Sequence, residues 1–279
     1  MTANADEGEF WAGPAGAKWI EFEAEQDHFL SEVAHAVIAK AGLRRGERVL
    51  DIGSGTGAMS LLAADAVGPS GRVLATDIAP PFVARVASRA EALQHVDVHL
   101  GDAQTTVWPE QDFDIALSRF GVMFFSDPPA AFANIARALR PGGRLAFAAW
   151  SRTEDNPYWA MPRRVIADMI GPQPAGQPNT PGPMGLADAD WAQDQMKQGG
   201  LTGVTVETLE IPLLHDGGAL GAADLSLRIG PAVRPLKEVD ASPELIAAFK
   251  AETASAFGPY EVDGKARIPA SIHLFTARA

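Results

Sequence analysis

The chain reads as an α/β protein: a parallel sheet with helices on both faces. Three observations predict this. From Arg48 to Trp150, short apolar runs alternate with helical stretches of about a dozen residues, the pattern of βαβ units. The runs are mostly apolar, as strands buried on both faces are. A glycine-rich turn, "GSGTG" at 53–57, joins the first run to the helix behind it. Such joins are where open α/β sheets hold nucleotides.

Composition supports the class. The 279 residues suit one large domain, and 47% hydrophobic with 21% charged residues is ordinary globular usage. The formal net charge is -12. A protein that seeks phosphate backbones needs a basic face, so nucleic acid is not an expected partner. The chain has no cysteine, which excludes disulfides, thiolate metal sites and cysteine nucleophiles. The opening "MTANADEGEF" is polar and acidic, unlike a signal peptide. No apolar run approaches the roughly 18 residues of a membrane helix. A cytoplasmic protein with no membrane partner is expected.

The elements follow in order. Gln26 to Ala41 carries Phe29, Leu30, Val33, Val37 and Ile38 at helical spacing, with Asp27 as a candidate cap and Gly42 as the stop. "RVLDI" is the first strand, followed by the glycine turn and the small-residue helix "AMSLLAADAV". "GPSG" at 68–71 breaks the chain. "RVLATDI" is the second strand, Pro81 to Leu93 a helix, "VDVHL" the third strand and "FDIALS" the fourth. "DPPAAFANIARALR" is a helix with prolines in its first turn, stopped by Pro141-Gly142-Gly143, and "RLAFAAW" is the fifth strand. After Trp150 the alternation stops. Residues 152–187 are rich in proline and glycine, and "GPQPAGQPNTPGPMG" reads as a loop or lid. A helix near 188–199, the strand "VTVETLEI", two helical pieces over 219–257 and the strand "SIHLFTA" complete the chain.

The turn's ligand is narrowed by Asp51. Gly53, Gly55 and Ala58 loosely satisfy the dinucleotide pattern G-x-G-x-x-A, and no Lys-Ser/Thr follows to make a phosphate loop. A dinucleotide would set its pyrophosphate beside the Asp51 carboxylate. At about 5 Å and an effective dielectric near 20, each like-charge pair costs on the order of 3 kcal/mol. A ligand with a cationic end is favoured instead. S-adenosylmethionine has an α-ammonium and a sulfonium and no phosphate. Asp77, at the end of the second strand, suits its ribose hydroxyls. Asp102, after the third strand in "HLGDA", suits its adenine amino group, with a helix cap as the alternative.

The pieces "VLDIGSGTG", "VLATDIAP", "HLGDAQ", "FDIALSRFGVMFF" and "ALRPGGRLAF" resemble, in order and spacing, those of class I S-adenosylmethionine-dependent methyltransferases. The ends "FWAGPAGAKWIEF", "GLADADWAQDQMKQGGLTGVTVETLEI" and "ARIPASIHLFTARA" resemble the subgroup of ubiquinone/menaquinone-biosynthesis-type and secondary-metabolite enzymes. The resemblance implies a Rossmann-like seven-stranded, mostly parallel sheet of order 3-2-1-4-5-7-6, strand 7 antiparallel, with a helical and loop cap. It implies one domain over 1–279: a core at about 42–150, 200–212 and 268–279, and covering elements at about 1–41, 151–187 and 213–262.

For the site, the resemblance implies that Asp51, Gly53, Ser54 and Gly55 line the methionine end of S-adenosyl-L-methionine, with Gly57 also among the cofactor-binding residues. Asp77 and Ile78 would hold ribose and adenine, and Gly101, Asp102 and Ala103 the adenine edge. Ser118, Arg119 and Phe120 would stand near the sulfonium. Asp51 is otherwise an orienter of turn amides or water. Arg119 fits three roles: the cofactor carboxylate, a substrate acid, or a pair with Asp127. Trp19, with Phe10 and Trp11, would close over the pocket, where cation–π attraction to the sulfonium is worth about 1–2 kcal/mol. Phe10, Trp11, Phe124, Tyr158 and Trp159 are the candidate substrate contacts. His28 is the candidate base for a weakly acidic hydroxyl. His95, His99, His215 and His273 lack metal-ligand spacing, so no metal is expected.

The expected reaction is in-line methyl transfer to a small-molecule metabolite, O- or C-methylation favoured, with S-adenosyl-L-homocysteine as product. The alternative is a cofactor-binding relative with a non-methylating or regulatory role. A monomer or homodimer is expected.

Overall fold

The computed structural model describes residues 4–108, 111–174 and 176–279. The first three residues of the expected cap and Ala175 of the proline-glycine segment fall outside them.

Four helices lead in: α1 (Ala5–Ala12), α2 (Pro14–Glu21), α3 (Glu23–Phe29) and α4 (Ser31–Ala41). The single helix expected over 26–41 is thus two, broken at Leu30, whose φ of -103° and ψ of 13° leave helical space. Gly42 ends α4 in the left-handed region at φ 56°, which glycine reaches without steric cost. The expected alternation follows: β1 (Arg48–Ile52), α5 (Ala58–Val67), β2 (Arg72–Asp77), α6 (Pro80–Arg89), β3 (Val96–Leu100), β4 (Phe113–Arg119), α7 (Pro128–Ala138) and β5 (Leu139–Trp150).

Two boundaries moved. Asp127 caps α7 by accepting from the Ala130 N–H at 3.1 Å. The helix stops at Ala138, and Leu139 already pairs with Phe113. Pro141-Gly142-Gly143 lies inside the strand, where the pairing register slips before Ile115 meets Arg144. A bulge absorbs residues that cannot keep a regular ladder. After Trp150 the chain forms α8 (Pro157–Ile170), α9 (Ala189–Gln198), β6 (Thr202–His215), α10 (Gly218–Ile229), α11 (Val233–Glu238), α12 (Pro243–Phe257), β7 (Glu261–Val262) and β8 (Lys265–Arg278). Helix α8 lies within the proline- and glycine-rich stretch 152–187, where the alternation predicts no helix. Pro157 sits harmlessly in the first turn, and Pro162 is carried inside the helix as a buried residue.

The sheet order is β3-β2-β1-β4-β5-β8-β6, with β7 paired only to β8. Strands β1 to β5 pair with one another in parallel, and β8 is antiparallel to both β5 and β6. This is the expected 3-2-1-4-5-7-6 path; the last long strand is eighth because two-residue β7 precedes it. Leu50, Ile52, Ile115, Leu117, Phe147 and Phe275 in the sheet are buried with Val33, Val37, Phe132 and Ile135 from α4 and α7. Each such side chain contributes about 1.5–3 kcal/mol by leaving water. Val165, Ile166, Ala232, Leu236 and Phe249 make a second, smaller cluster joining α8, α11 and α12. The order reverses between β1 and β4, so the carboxyl ends of β1, β2 and β4 open onto one crevice.

Candidate functional site

The turn after β1 is held in a shape only glycine adopts freely. Gly53, Gly55 and Gly57 have φ of 64°, 54° and 96°. Their surroundings differ. A Cβ on Gly53 would stand 2.7 Å from the Gly121 Cα, whereas one on Gly55 would meet nothing within 4 Å. Gly53 is a close-packing glycine; Gly55 opens the turn.

Asp77 holds this turn. Its Oδ2 accepts the Gly55 N–H at 2.8 Å and its Oδ1 accepts the Ala79 N–H at 2.9 Å. The grip on turn amides that Asp51 was expected to supply therefore belongs to Asp77. The fully buried Asp51 accepts from the Ser60 hydroxyl at 2.5 Å through Oδ2, and its Oδ1 has no partner among the described residues. Burial pushes both acids up to about 6. For Asp51 the Ser60 hydroxyl and the Arg119 charge oppose that rise while Asp77 adds to it; for Asp77 three backbone N–H groups oppose it.

Arg119 ends β4 with its side chain 9% exposed. It does not pair with Asp127, which is spent on capping α7. It faces Asp27 of α3 instead, Nη2 to Oδ1 3.8 Å, and its Nη1 has no acceptor among the described residues. Asp27 is correspondingly not the cap of its helix. Its Oδ2 lies 2.8 Å from Arg89 Nη2, and Arg89 Nη1 donates to the Thr56 carbonyl in the glycine turn at 3.0 Å. Sequence reading missed Asp27, Arg89 and Thr56. An acid one turn into an apolar helix looks like a cap, and nothing local shows the arginines 62 and 92 residues away.

Asp102 is in use. Its Oδ1 accepts from the Asn4 side-chain amide and the Gln104 N–H, each at 2.9 Å, and its Oδ2 from the Asn4 N–H at 3.3 Å. Asn4 Oδ1 in turn accepts the Ser126 N–H at 2.8 Å. The residue expected at the adenine edge thus anchors the start of α1. Ile78 lies beneath the same arm, its Cγ1 3.3 Å from where a Gly8 Cβ would stand. Gly101 N–H donates to the Asp77 carbonyl at 3.0 Å. The buried Ala103 gives its carbonyl to Asn134.

Ser118 is a tie between strand ends: its hydroxyl donates to the Ile52 carbonyl at 2.8 Å and accepts the Gly121 N–H at 3.1 Å. Phe120 has a φ of 65°, costly for a residue with a side chain. Its ring stacks on Trp150, centroids 4.3 Å apart and planes 7° from parallel. Trp150 meets Trp159 edge-on at 5.9 Å, and Trp159 meets Tyr158 at 6.2 Å. The Trp159 indole N–H is buried with no acceptor among the described residues. Trp11 gathers Trp19, Phe82 and Phe124 within 6.0 Å. Phe10 is 57% exposed.

His28 is 44% exposed, with Nε2 3.6 Å from Asp216. The structure places it at the surface beside an acid. His215 is better enclosed, yet both its nitrogens are occupied. Nδ1 accepts the Gly217 N–H at 3.0 Å, so Nε2 carries the proton shared with Glu25 at 2.6 Å. No cluster of three or more metal-ligating side chains occurs among the described residues. No helix among them is long and apolar enough to cross a membrane.

Residues 50–147 match a family model described as a methyltransferase domain. The nocamycin O-methyltransferase of Saccharothrix syringae is 35% identical over 157 residues, 54% of this chain and 56% of the relative. The aklanonic acid methyltransferase DauC of a Streptomyces species is 40% identical over 104 residues, 37% of this chain and 47% of the relative. The chain thus spans about half the length of these curated relatives. The crystal structure of the YcgJ protein from Bacillus subtilis shares the fold at a TM-score of 0.55 and 17% identity, covering 89% of this chain and 98% of that one.

Proposed function

We propose that this chain, whose residues 50–147 match a methyltransferase-domain model, transfers the methyl group of S-adenosyl-L-methionine to a small molecule. One observation carries the reading. Around the end of the glycine turn, Asp27 Oδ1, Asp51 Oδ1, Ser54 Oγ, Thr56 Oγ1 and Arg119 Nη1 are buried without hydrogen-bond partners among the described residues. Buried polar groups of this kind are costly unless a ligand meets them. Carboxylate and hydroxyl oxygens together with a guanidinium match an amino-acid zwitterion, an ammonium beside a carboxylate. A pyrophosphate would satisfy the arginine and be repelled by both acids.

The bound cofactor supplies an electrophilic methyl on a sulfonium. The chain's residues do the rest. Asp51 and the Ser54 and Thr56 hydroxyls receive the ammonium, directly or through water. Arg119 receives the carboxylate. Asp77 fixes the turn through the Gly55 N–H and keeps lone pairs for the ribose hydroxyls. Ile78 packs on the adenine, and Asp102 takes the adenine amino group in exchange for Asn4. The Phe120–Trp150–Trp159 wall receives the acceptor, and the free Trp159 N–H offers a donor to an acceptor oxygen. Holding nucleophile, methyl and sulfur in line supplies about 7–11 kcal/mol of the barrier. No base is assigned: both ring nitrogens of His215 are occupied, His28 is half-exposed at the surface, and an already acidic oxygen or an activated carbon needs none. The names of the curated relatives, one an O-methyltransferase and one acting on an acid, support a metabolite acceptor.

Titration calorimetry with S-adenosylhomocysteine tests the reading. Micromolar binding by the wild type, lost on Arg119→Met, is the expected result. Absence of any heat with the wild-type protein sinks it. Methyl incorporation from labelled cofactor into a small molecule distinguishes the transferase from a non-methylating relative.

A further inference from the structure

Five charged groups form a row of alternating sign from the cap to the sheet: Glu23 and Asp27 on α3, Arg89 on α6, Arg119 on β4 and Asp51 on β1. Arg89 Nη1 lies 3.8 Å from Glu23 Oε2, and Arg89 Nη2 lies 2.8 Å from Asp27 Oδ2. Asp27 Oδ1 lies 3.8 Å from Arg119 Nη2 and makes no hydrogen bond. Arg85, also from α6, clamps Glu23 through its Nε at 2.8 Å. Asp27 is the centre of this row. It ion-pairs closely with one arginine and faces another at a longer distance.

That asymmetry has a use. Had Asp27 taken Arg119 in a two-pronged pair, the guanidinium fork would be spent. At 3.8 Å the carboxylate attracts the fork and leaves its N–H groups free. Arg89 holds Asp27 in that stance while its other nitrogen holds the Thr56 carbonyl. The cap helix, the glycine turn and the buried arginine are therefore registered through one carboxylate.

We propose that Asp27 is a positioning residue of the cofactor site: it aims Arg119 at the α-carboxylate of the amino-acid end and locks α3 to the glycine turn. The proposal rests on the cofactor reading above and adds to it a residue outside the matched segment 50–147. Like-charge repulsion between Arg89 and Arg119 otherwise turns the two guanidinia apart, and Asp27 is the anion between them.

Two ligands separate positioning from plain structural support. S-adenosylhomocysteine has the amino-acid group; 5′-methylthioadenosine keeps the adenosine and sulfur and lacks it. Calorimetry would compare both on wild type, Asp27→Asn and Asp27→Glu, with melting temperatures recorded alongside. In Asp27→Asn the dissociation constant for S-adenosylhomocysteine should rise about tenfold, the size expected when one charged hydrogen-bonding partner is lost. That for 5′-methylthioadenosine should stay within about twofold, and Asp27→Glu should recover most of the loss. Equal weakening of both ligands, or no weakening of either, overturns the proposal. If Asp27→Asn fails to fold, Asp27→Ser carries the same comparison. A wild-type protein that binds 5′-methylthioadenosine but gains nothing from the amino-acid group overturns the proposal while leaving the adenosine site standing. A wild-type protein that binds neither overturns the cofactor reading first, and this proposal with it.

Discussion

At the scale of single residues, the three glycines of the turn are equally visible in the sequence and are not equivalent in the structure. Spacing alone marks Gly53, Gly55 and Gly57 as a ligand turn. It cannot say which one faces protein and which faces open space, because the neighbour of Gly53 is Gly121, on another strand's end. The difference is testable. Gly53→Ala adds a Cβ 2.7 Å from a backbone atom at a φ of 64°. It should destabilise the fold by about 2–4 kcal/mol, strain and overpacking together, read as a lowered midpoint in urea. Gly55→Ala meets no atom within 4 Å. It should cost only the left-handed strain of about 1–2 kcal/mol while sharply weakening S-adenosylhomocysteine binding, because the new methyl occupies the cofactor's space. Comparable stability losses in the two variants, or intact binding in Gly55→Ala, would contradict the assignment. The acids teach the same lesson. Their positions at strand ends mark Asp51, Asp77 and Asp102 as acids near the turn, and all three are buried, but spacing does not reveal their partners. Ser60, Gly55 and Asn4 reach them through turns and long-range packing that no spacing encodes.

At the scale of elements, periodicity located the sheet core well and the covering segments poorly. Strands β1 to β4 and helix α5 lie where apolar runs and glycine breaks put them, since buried parallel strands leave a strong composition signal. Helices α8 and α3 were obscured by prolines and by a mistaken cap, since their stability comes from packing on partners far away in the chain. The arm α1 is the covering element that reaches Asp102. It is tied down at Asn4, whose amide donates to Asp102 and accepts from Ser126. An amide and the edge of adenine present a donor beside an acceptor, so the two compete for one carboxylate. Asn4→Ala should therefore tighten S-adenosylhomocysteine binding a few-fold, since a net hydrogen bond of about 1 kcal/mol no longer has to be exchanged. Stopped-flow fluorescence of Trp11, packed with Phe82 and Phe124 beneath the arm, would report faster association. Weaker binding in this variant would mean that Asn4 works with the ligand instead of against it.

At the scale of the whole molecule, the site opposes the fold. Asp51 and Asp77 are buried acids raised from 3.8 to about 6. Their folded forms hold protons more tightly than the unfolded chain does. The folded state is thus penalised for their ionisation: the penalty is absent below pH 3.8, grows as pH rises towards 6, and is complete above it. With each pKa unit worth about 1.4 kcal/mol, the two coupled acids withhold a few kcal/mol at neutral pH. Their contribution runs opposite to that of Glu23 and Glu47, whose pairs with Arg85 and Arg144 hold them below the usual range. On the proposed cofactor reading, a cationic ligand end would offset this penalty when it binds. Asp51→Asn should raise the melting temperature at pH 7.5 and leave it nearly unchanged at pH 4, where the wild-type acid is largely protonated. The same substitution should abolish the gain in melting temperature that S-adenosylmethionine gives the wild type. In the wild type, affinity for S-adenosylmethionine should climb between pH 5 and pH 7, by up to about tenfold per unit below 6 if one proton is released. The sulfonium and ammonium stay charged across that window, so the slope reports the protein's acids. An Asp51→Asn protein no more stable than wild type at pH 7.5, or wild-type affinity flat from pH 5 to 7, would show that this carboxylate bears no ionisation cost and is not the group that receives the cation.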